Sequence, residues 1–320
     1  MMDNFESNTS RRFSSLARLY GETASQGLAH AHVMIAGIGG VGSWTVEALA
    51  RSGVGQLTLA DLDHVAESNI NRQVHALDST VGMAKVEAMR ERIAQINPDC
   101  QVNLIDDFID AENIAPLLAQ YQPDLLLDCT DQVPAKIAML LAARQAKIGF
   151  YMCGGAGGKT DALSLKQTDI AHARNDNLLG RIRQILRKQY GFAKGADAQG
   201  KALKKVPPMK VKCFWFDQPA QLPSLWQNQT AAQAEAEAQV QAAGQAQAQN
   251  QAQAEGPILA TSQLNTLAQV QAQAQAASPV QAPQGLSCAG YGSSVMVTAS
   301  MGLALANSAI HELIQNRARM

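Results

Sequence analysis

The chain has 320 residues, of which 47% are hydrophobic and 17% are charged, and its formal net charge is −1. This length allows one large α/β domain or two smaller ones, and the near-zero charge excludes a protein whose whole surface is built to bind polyanions. The five cysteines include no close CxxC pair, and their odd number and wide spacing favour reduced thiols in the cytoplasm over a disulfide framework.

Apolar runs alternate with helical patterns from residue 32 to residue 153. Such alternation predicts βαβ units, that is, a Rossmann-like α/β fold with a mostly parallel sheet flanked by helices. Residues 161–167 alternate like an antiparallel strand and predict an antiparallel extension. The expected strands cover residues 32–40, 56–61, 101–105, 124–128 and 148–153, and the expected helices cover residues 41–51, 84–96, 113–120 and 135–147.

A glycine-rich loop follows the first expected strand. Gly37, Gly39 and Gly42 fit the pattern G-x-G-x-x-G, with Gly40 inside it, and a helical pattern follows directly. Glycines permit the tight turn, and backbone N–H groups at the helix start can receive phosphate oxygens. Asp61 ends the next strand and could accept hydrogen bonds from a ribose. The motif predicts a nucleotide site but does not choose among NAD, FAD and ATP.

Polar residues after the second and fourth strands favour ATP. Asn69, Arg72 and Lys85 could hold and neutralise charge that builds at an attacked α-phosphate, and an NAD enzyme needs no such set. The stretch from Asp128 to Asp131 closes the fourth strand, where a carboxylate can hold Mg²⁺ near phosphates. We therefore predict that Arg72 and Lys85 stabilise charge during catalysis. Asp63 and Gln73 lie in the same stretches and complete the predicted nucleotide-binding set.

Several of these stretches resemble the MoeB/ThiF/ubiquitin-activating superfamily, whose members adenylate a carboxylate. The resemblance covers roughly residues 12–169, returns at 286–315, and rests on residues 37–44, 59–65, 68–73, 82–87 and 127–131. Residues 11–21, 154–161 and 286–302 are most similar to one branch, the ATP-dependent tRNA threonylcarbamoyladenosine dehydratases. The resemblance implies cyclisation of the threonylcarbamoyl group on an adenosine of tRNA, with ATP and Mg²⁺ as cofactors. It also implies that Asp131 is a catalytic residue and the magnesium ligand.

The same resemblance implies a homodimer in which an arginine near the N-terminus, Arg12 or Arg18, reaches the partner subunit's phosphates. Cysteine-desulfurase or sulfur-acceptor partners are a further implication. Two alternatives stay open: an adenylyltransferase for a sulfur-carrier protein, and an NAD- or FAD-dependent oxidoreductase. The absence of two CxxC pairs excludes the structural zinc usual in the first class and speaks against that reading.

Residues 174–212 contain eleven Lys and Arg residues against two aspartates. Such a cluster in a nearly neutral chain favours a track for tRNA phosphates, although charge runs are often only the solvated face of a helix. The predicted contacts are Arg181, Arg183, Arg187 and Lys188, and no DNA partner is expected. The expected domains are an ATP-binding adenylation domain at 12–170, this basic segment at 171–227, an insertion at 228–283 and a returning C-terminal helix at 284–316.

The insertion at 228–283 is almost entirely Ala and Gln, carries no apolar stripe, and is expected to be mostly disordered. Cys288 precedes an expected helix, where a dipole could make its thiol reactive, although a small buried thiol is an equal interpretation. Residues 295–314 are apolar but include polar and many small residues, which favours a buried helix over a membrane span. With no secretory signal visible, a cytoplasmic protein is expected.

Overall fold

A computed structural model describes residues 8–197, 199, 201, 203–221 and 291–317. These residues form a seven-stranded sheet in the order β3-β2-β1-β4-β5-β7-β6. All neighbouring strands are parallel except β6 and β7, which are antiparallel. The predicted α/β fold with an antiparallel extension is confirmed. The strands are β1 (His32–Ala36), β2 (Gln56–Ala60), β3 (Gln101–Ile105), β4 (Leu125–Asp128), β5 (Gly149–Cys153), β6 (Leu165–Asp169) and β7 (Lys212–Phe216).

The strand order places a crevice at the centre of the sheet. The chain builds outward from β1 through β2 to β3, and then returns to add β4 on the other side of β1. In open α/β sheets, ligands bind outside the carboxyl ends of the strands at such a point of reversal. The residues that follow β1 and β4 therefore define the expected binding edge.

Helices cover both faces of the sheet. All five β1 residues are buried, as expected for a central strand covered on both faces. The helices in the described residues are α1 (Asn8–Tyr20), α2 (Glu22–Ala29), α3 (Gly42–Arg51), α4 (Lys85–Ile96), α5 (Ile114–Tyr121), α6 (Val133–Ala146), α7 (Asn177–Gln189) and α8 (Val295–Arg317).

The long C-terminal helix α8 packs against α3 and α2. Val297, Met301 and Leu305 are fully buried in the main core. A Cβ added at Gly302 would lie 2.4 Å from the carbonyl oxygen of Val41, so this small residue is what allows α8 to approach α3 so closely. The predicted buried helix is confirmed, and no helix among the described residues is long and apolar enough to cross a membrane.

The structure differs from the predicted elements in the segment after residue 160. The antiparallel strand begins at Leu165, because residues 162–164 form a 3₁₀ turn whose start is capped by the Asp161 carboxylate. Strand β7 lies inside the stretch assigned to the basic segment and pairs with both β5 and β6. Only its first residue, Lys212, is exposed. The predicted insertion at 228–283 and Cys288 lie outside the described residues.

Candidate nucleotide site and cationic surface

The glycine loop connects β1 directly to α3, as predicted. Gly37 has a φ of +84°, and a Cβ at this position would lie 3.0 Å from the backbone of the chain after β4. A Cβ at Gly42 would lie 1.8 Å from the carbonyl oxygen of Gly37, which only glycine avoids. A Cβ at Gly40 would lie 3.1 Å from the Thr298 side chain and 3.4 Å from the stem of Arg72. The loop is therefore a tight backbone turn at the start of α3, bordered by α8 and by the segment after β2.

Asp61 ties the glycine loop to the neighbouring strand. The Ile38 backbone N–H donates to its Oδ2 at 2.6 Å, and the Asp63 N–H donates to its Oδ1 at 2.9 Å. Burial raises the pKa of Asp61, while the nearby Lys85 ammonium opposes that shift. Both Asp61 oxygens already accept hydrogen bonds from backbone N–H groups. A ribose hydroxyl would therefore donate to a carboxylate that also holds the loop in shape.

Lys85 lies between two carboxylates at the start of α4. Its Nζ is 2.6 Å from Oδ2 of Asp63 and 3.6 Å from Oδ1 of Asp61. The Lys85 side chain is 7% exposed, whereas that of Asp63 is 66% exposed. A buried ammonium whose main partner faces solvent can transfer its interaction to an incoming phosphate. The structure thus places three predicted site residues together beside the glycine loop.

The segment 68–73 carries the remaining predicted nucleotide contacts. Nη1 of Arg72 donates to the Ser68 carbonyl oxygen at 2.8 Å, and its aliphatic stem lies against Gly40. Asn69 is buried and uses Oδ1 to accept the Ala66 N–H at 3.1 Å, which closes its own turn. Oε1 of Gln73 is buried and has no hydrogen-bond partner in the described part of the chain. Arg72 and Gln73 therefore have capacity for a ligand, while the Asn69 oxygen is occupied.

His75 follows this segment and is a buried residue that the sequence did not single out. It is 1% exposed, and neither ring nitrogen has a hydrogen-bond partner among the described residues. Burial, followed by the positive charges of Lys85 and Arg92, lowers the pKa of His75 to about 4. The imidazole is therefore neutral at physiological pH.

Asp131 follows β4 at the same edge of the sheet. It is half-buried, and its Oδ1 accepts only a 3.3 Å hydrogen bond from the side chain of its neighbour Gln132. No group of three or more His, Cys, Asp or Glu side chains within the described ranges could hold a metal ion by itself. A magnesium ion would thus need oxygen ligands from phosphates in addition to Asp131, which is its usual mode of binding beside a nucleotide.

A buried ion pair on either side of Asp131 was missed by the sequence analysis. Asp128 ends β4 and Lys136 lies in the first turn of α6; their side chains are 3.1 Å apart and fully inaccessible to solvent. Burial raises the pKa of Asp128, against the opposing effect of Lys136. Asp128 stood in the same motif as Asp131, but a lysine within a helical pattern gave no signal that it would turn inward.

Three of the four described cysteines are held as neutral thiols. Burial raises the pKa of Cys100 and of Cys213 to about 12, and burial, followed by a hydrogen bond with Cys129, raises that of Cys153. Thiols held in the neutral form are poor nucleophiles at neutral pH.

Among the described residues, neither N-terminal arginine forms a hydrogen bond or ion pair with the glycine loop of its own chain. Nη1 of Arg12 donates to the carbonyl oxygens of Gln95 and Ile96 at 3.0 and 3.1 Å and so caps the end of α4. Arg18 is exposed on α1. The prediction that one of them crosses to a partner subunit stays a prediction.

The four predicted tRNA contacts on α7 fall into two pairs. Nη1 of Arg183 donates to the carbonyl oxygens of Ile170 and Ala173, and Nε of Arg187 donates to that of Ala193. Arg181 and Lys188 are exposed. A cavity of about 800 Å³ opens beside the helix, and its charged lining residues are Arg174, Arg183, Arg187, Lys188, Lys194 and Asp197.

The chain is similar to a known protein family and to several known enzymes. The model of the ThiF family matches residues 11–318. The tRNA threonylcarbamoyladenosine dehydratase of Escherichia coli (strain K12) is 45% identical over 186 residues, which are 58% of this chain and 69% of that protein. The protein of the same name from Haemophilus influenzae is 44% identical over 192 residues, 60% of this chain and 72% of that protein. A crystal structure of the E. coli dehydratase in complex with ATP has a TM-score of 0.70 at 31% identity and covers 97% of both chains.

Proposed function

We propose that this chain, which belongs to the ThiF family, uses ATP to cyclise N6-threonylcarbamoyladenosine in tRNA through an adenylated carboxylate. One observation carries the proposal. Arg72, the Lys85–Asp61 pair and the backbone just before Asp131 come from separate stretches of sequence and meet at one glycine loop at the carboxyl edge of the sheet. The similarity to the E. coli dehydratase over nearly the whole of both chains supports the substrate.

The residues around the loop suit adenylation. Backbone N–H groups of the glycine loop receive phosphate oxygens, and the threonyl carboxylate attacks the α-phosphorus so that pyrophosphate leaves. Lys85 and Arg72 stabilise the negative charge that builds on the phosphate oxygens in the transition state. Lys85 is available for this because its 2.6 Å partner, Asp63, faces solvent.

Ring closure follows without a covalent enzyme intermediate. An atom of the carbamoyl group that can close a five-membered ring attacks the activated carbonyl, the group loses a proton, and AMP leaves. An attached nucleophile gains on the order of 7–11 kcal/mol in well-oriented cases, so no thioester is needed. The raised pKa of the buried Cys153 agrees with a route that uses no thiolate from the described residues.

Magnesium belongs to this proposal through Asp131. The carboxylate has an oxygen donor suited to the ion, and a bound ion would neutralise charge on the nucleotide phosphates. Asp131 would hold it, with the remaining ligands coming from phosphates and water.

The cationic face of α7 is the proposed contact with tRNA. Arg181 and Lys188 are exposed, and the adjoining cavity is lined by several more cations and a single acidic residue. Exposed cations of this kind bind phosphates without reading sequence.

A homodimer is the proposed assembly. Four large apolar side chains on the segment between β2 and α4 are exposed in the single chain, and a second subunit would cover them. These residues are Leu62, Ile70, Leu77 and Val81. The molecular mass in solution, measured by light scattering, tests this; a monomer at enzyme concentrations used for activity would contradict it. Sulfur-relay partners remain a proposal drawn from the superfamily resemblance.

One assay separates the proposed function from its rivals. Pyrophosphate release is measured with tRNA that carries threonylcarbamoyladenosine, with tRNA that lacks it, and with a sulfur-carrier protein. The proposal requires release only with the first. Release with the carrier protein alone would favour the adenylyltransferase, and equilibrium binding of NAD in preference to ATP would favour an oxidoreductase.

A further inference from the structure

The loop that carries Asp131 is bracketed by the buried ion pair. Nζ of Lys136 is 3.1 Å from Oδ1 of Asp128 and donates to the carbonyl oxygen of Cys153 at 2.8 Å. Asp128 is the last residue of β4 and Cys153 the last residue of β5. One lysine therefore joins the ends of two neighbouring strands, and the loop 129–132 leaves and returns at that junction.

The same carboxylate fixes the first turn of the loop. Oδ1 of Asp128 accepts the Thr130 backbone N–H at 3.1 Å and its hydroxyl at 2.8 Å. On the opposite side, the Cys129 N–H donates to the Ala36 carbonyl oxygen at 2.8 Å, and Gly37 lies directly against the Cys129 and Thr130 backbone. The loop is held between the ion pair and the glycine loop.

Stability alone gives little reason for this ion pair. Removing two charges from water is unfavourable, and apolar residues of similar volume often stabilise a core as well or better. Oδ2 of Asp128 is buried and has no hydrogen-bond partner in the described part of the chain, so the pair is not fully satisfied. What the pair does supply is direction, because Oδ1 makes all the hydrogen bonds of this carboxylate within the described residues: one to Lys136 and two to Thr130 in the loop.

We infer that Asp128, Lys136 and the Thr130 hydroxyl are positioning residues, which set Asp131 at the distance from the glycine loop where its carboxylate meets the nucleotide phosphates and their metal ion. The inference deepens the proposed function and rests on it, since the position of Asp131 matters only if Asp131 binds that metal. None of the three residues needs to contact ATP. Their effect reaches the site through the backbone of loop 129–132.

Thr130→Val is the sharpest variant, because it removes the hydroxyl and keeps the side-chain shape. Thr168→Val is the matched control: Thr168 is also half-buried, and its hydroxyl accepts from Trp215 at 2.9 Å and donates to the Asp169 carbonyl oxygen at 3.1 Å in the antiparallel part of the sheet. The measurement is Mn²⁺ affinity in the presence of a non-hydrolysable ATP analogue, followed by electron paramagnetic resonance, with the melting temperature recorded for both. Mn²⁺ accepts the same oxygen ligands as Mg²⁺.

Thr130→Val is expected to weaken Mn²⁺ binding by about 10- to 100-fold, the usual effect of losing a residue that orients a metal ligand. Thr168→Val should leave Mn²⁺ affinity unchanged, with a similar change in melting temperature. Equal Mn²⁺ affinities for the two variants would overturn the inference, because a merely structural hydroxyl predicts that result.

The double variant Asp128→Asn/Lys136→Met removes both charges together and avoids a lone buried ion. Amide hydrogen exchange within residues 129–132 should accelerate in it while exchange in β1 stays protected. Unchanged exchange in the loop would also count against the inference. Should this variant fail to fold, the comparison of the two threonine variants decides alone.

The outcome for the proposed function is separate. If the wild-type protein cyclises the tRNA nucleoside and Thr130→Val keeps full Mn²⁺ affinity, only the positioning role is contradicted. If the wild-type protein binds Mn²⁺ with the ATP analogue but does not cyclise the tRNA nucleoside, only the proposed substrate is contradicted. Wild-type protein that binds no Mn²⁺ with the analogue would overturn both.

Discussion

The charged residues at the carboxyl edge of the sheet and those on α7 are held in opposite ways. At the sheet edge, Lys136 and Asp128 are fully buried against each other, and the Lys85 side chain is 7% exposed beside two carboxylates. On α7, Arg181 and Lys188 are exposed, with no carboxylate within ion-pair distance among the described residues.

The difference indicates two kinds of work. Buried, paired charges act at fixed positions and are screened little by salt, which suits bond formation at one phosphorus atom. Exposed cations act over a Debye length and weaken as salt is added, which suits capture of a large polyanion. Variants at the sheet edge should therefore change rates and pH responses, and variants on α7 should change the salt dependence of RNA binding.

Asp131→Ala should have the largest effect. Loss of the carboxylate should lower pyrophosphate release by about 100-fold or more, because the metal ion would lose its protein ligand. Unfolding free energy should change by no more than about 0.5 kcal/mol, since among the described residues the Asp131 side chain has one hydrogen bond, from Gln132. Asp106→Ala, an exposed aspartate after β3, is the control. Magnesium-dependent release retained by Asp131→Ala would remove this residue from the site.

Arg72→Met should lower kcat by about 10- to 100-fold and change the Michaelis constant for ATP much less. Its charge is needed most in the transition state, while methionine keeps an aliphatic stem against Gly40. Steady-state kinetics at saturating tRNA check this. A raised Michaelis constant with an unchanged kcat would show that Arg72 serves ground-state binding instead.

His75→Leu tests how far the sheet edge depends on buried neutral groups. The pKa of His75 is lowered to about 4 in the folded chain, below the ordinary value of 6.5, so protonation favours unfolding. The stability due to the neutral ring is present above pH 6.5 and is lost as the pH falls towards 4, by about 3 kcal/mol in all.

Leucine has no such dependence and breaks no hydrogen bond, because the ring nitrogens have none within the described residues. Denaturant unfolding from pH 7.5 to 4 should therefore give a flatter curve for the variant than for wild type. Parallel curves for the two proteins would mean that His75 is protonated without penalty in the folded state.

On α7, Arg181→Gln/Lys188→Gln should lower the slope of log tRNA affinity against log salt by about 0.7–0.9 for each phosphate that is no longer neutralised, and ATP binding should not change. Arg183→Gln is a contrasting variant: it removes hydrogen bonds to Ile170 and Ala173, so it should reduce stability. Filter binding at several salt concentrations gives the slopes. Equal slopes for wild type and the double variant would make this side of α7 a merely solvated surface.

Deletion of residues 228–283 should have the smallest effect. Their Ala/Gln composition offers no apolar face for a core, so ATP-dependent activity should be largely retained. Loss of solubility or activity on deletion, measured beside full-length protein, would show that the segment packs or binds.

The fold and the glycine loop could be predicted because their signals are local. Short stretches of sequence are enough to recognise the alternation of strands and helices and the glycine pattern at Gly37 and Gly42. Strand β7 was not predicted, because its apolar run at 213–216 is short and the helices that bury its two faces, α7 and α8, lie elsewhere in the chain.

Side-chain partners were the other limit. Sequence placed Lys85 and Asp131 near the nucleotide edge, but it gave Arg181, Arg183, Arg187 and Lys188 equal weight. Arg183 and Arg187 instead bind carbonyl oxygens that only the folded chain brings near. The burial of Lys136 could not be predicted either, because its partners lie at two strand ends that are far apart in sequence.

ATP-dependent cyclisation of the tRNA nucleoside is tested most directly by analysing the products of one reaction. Purified protein is incubated with ATP, Mg²⁺ and tRNA that carries threonylcarbamoyladenosine, and the digested nucleosides are analysed by mass spectrometry together with the AMP formed. If this protein adenylates the carboxylate, the nucleoside becomes lighter by one water molecule, and one AMP forms for each nucleoside converted. An unchanged nucleoside, or conversion that produces ADP in place of AMP, would contradict adenylation of its carboxylate by this protein.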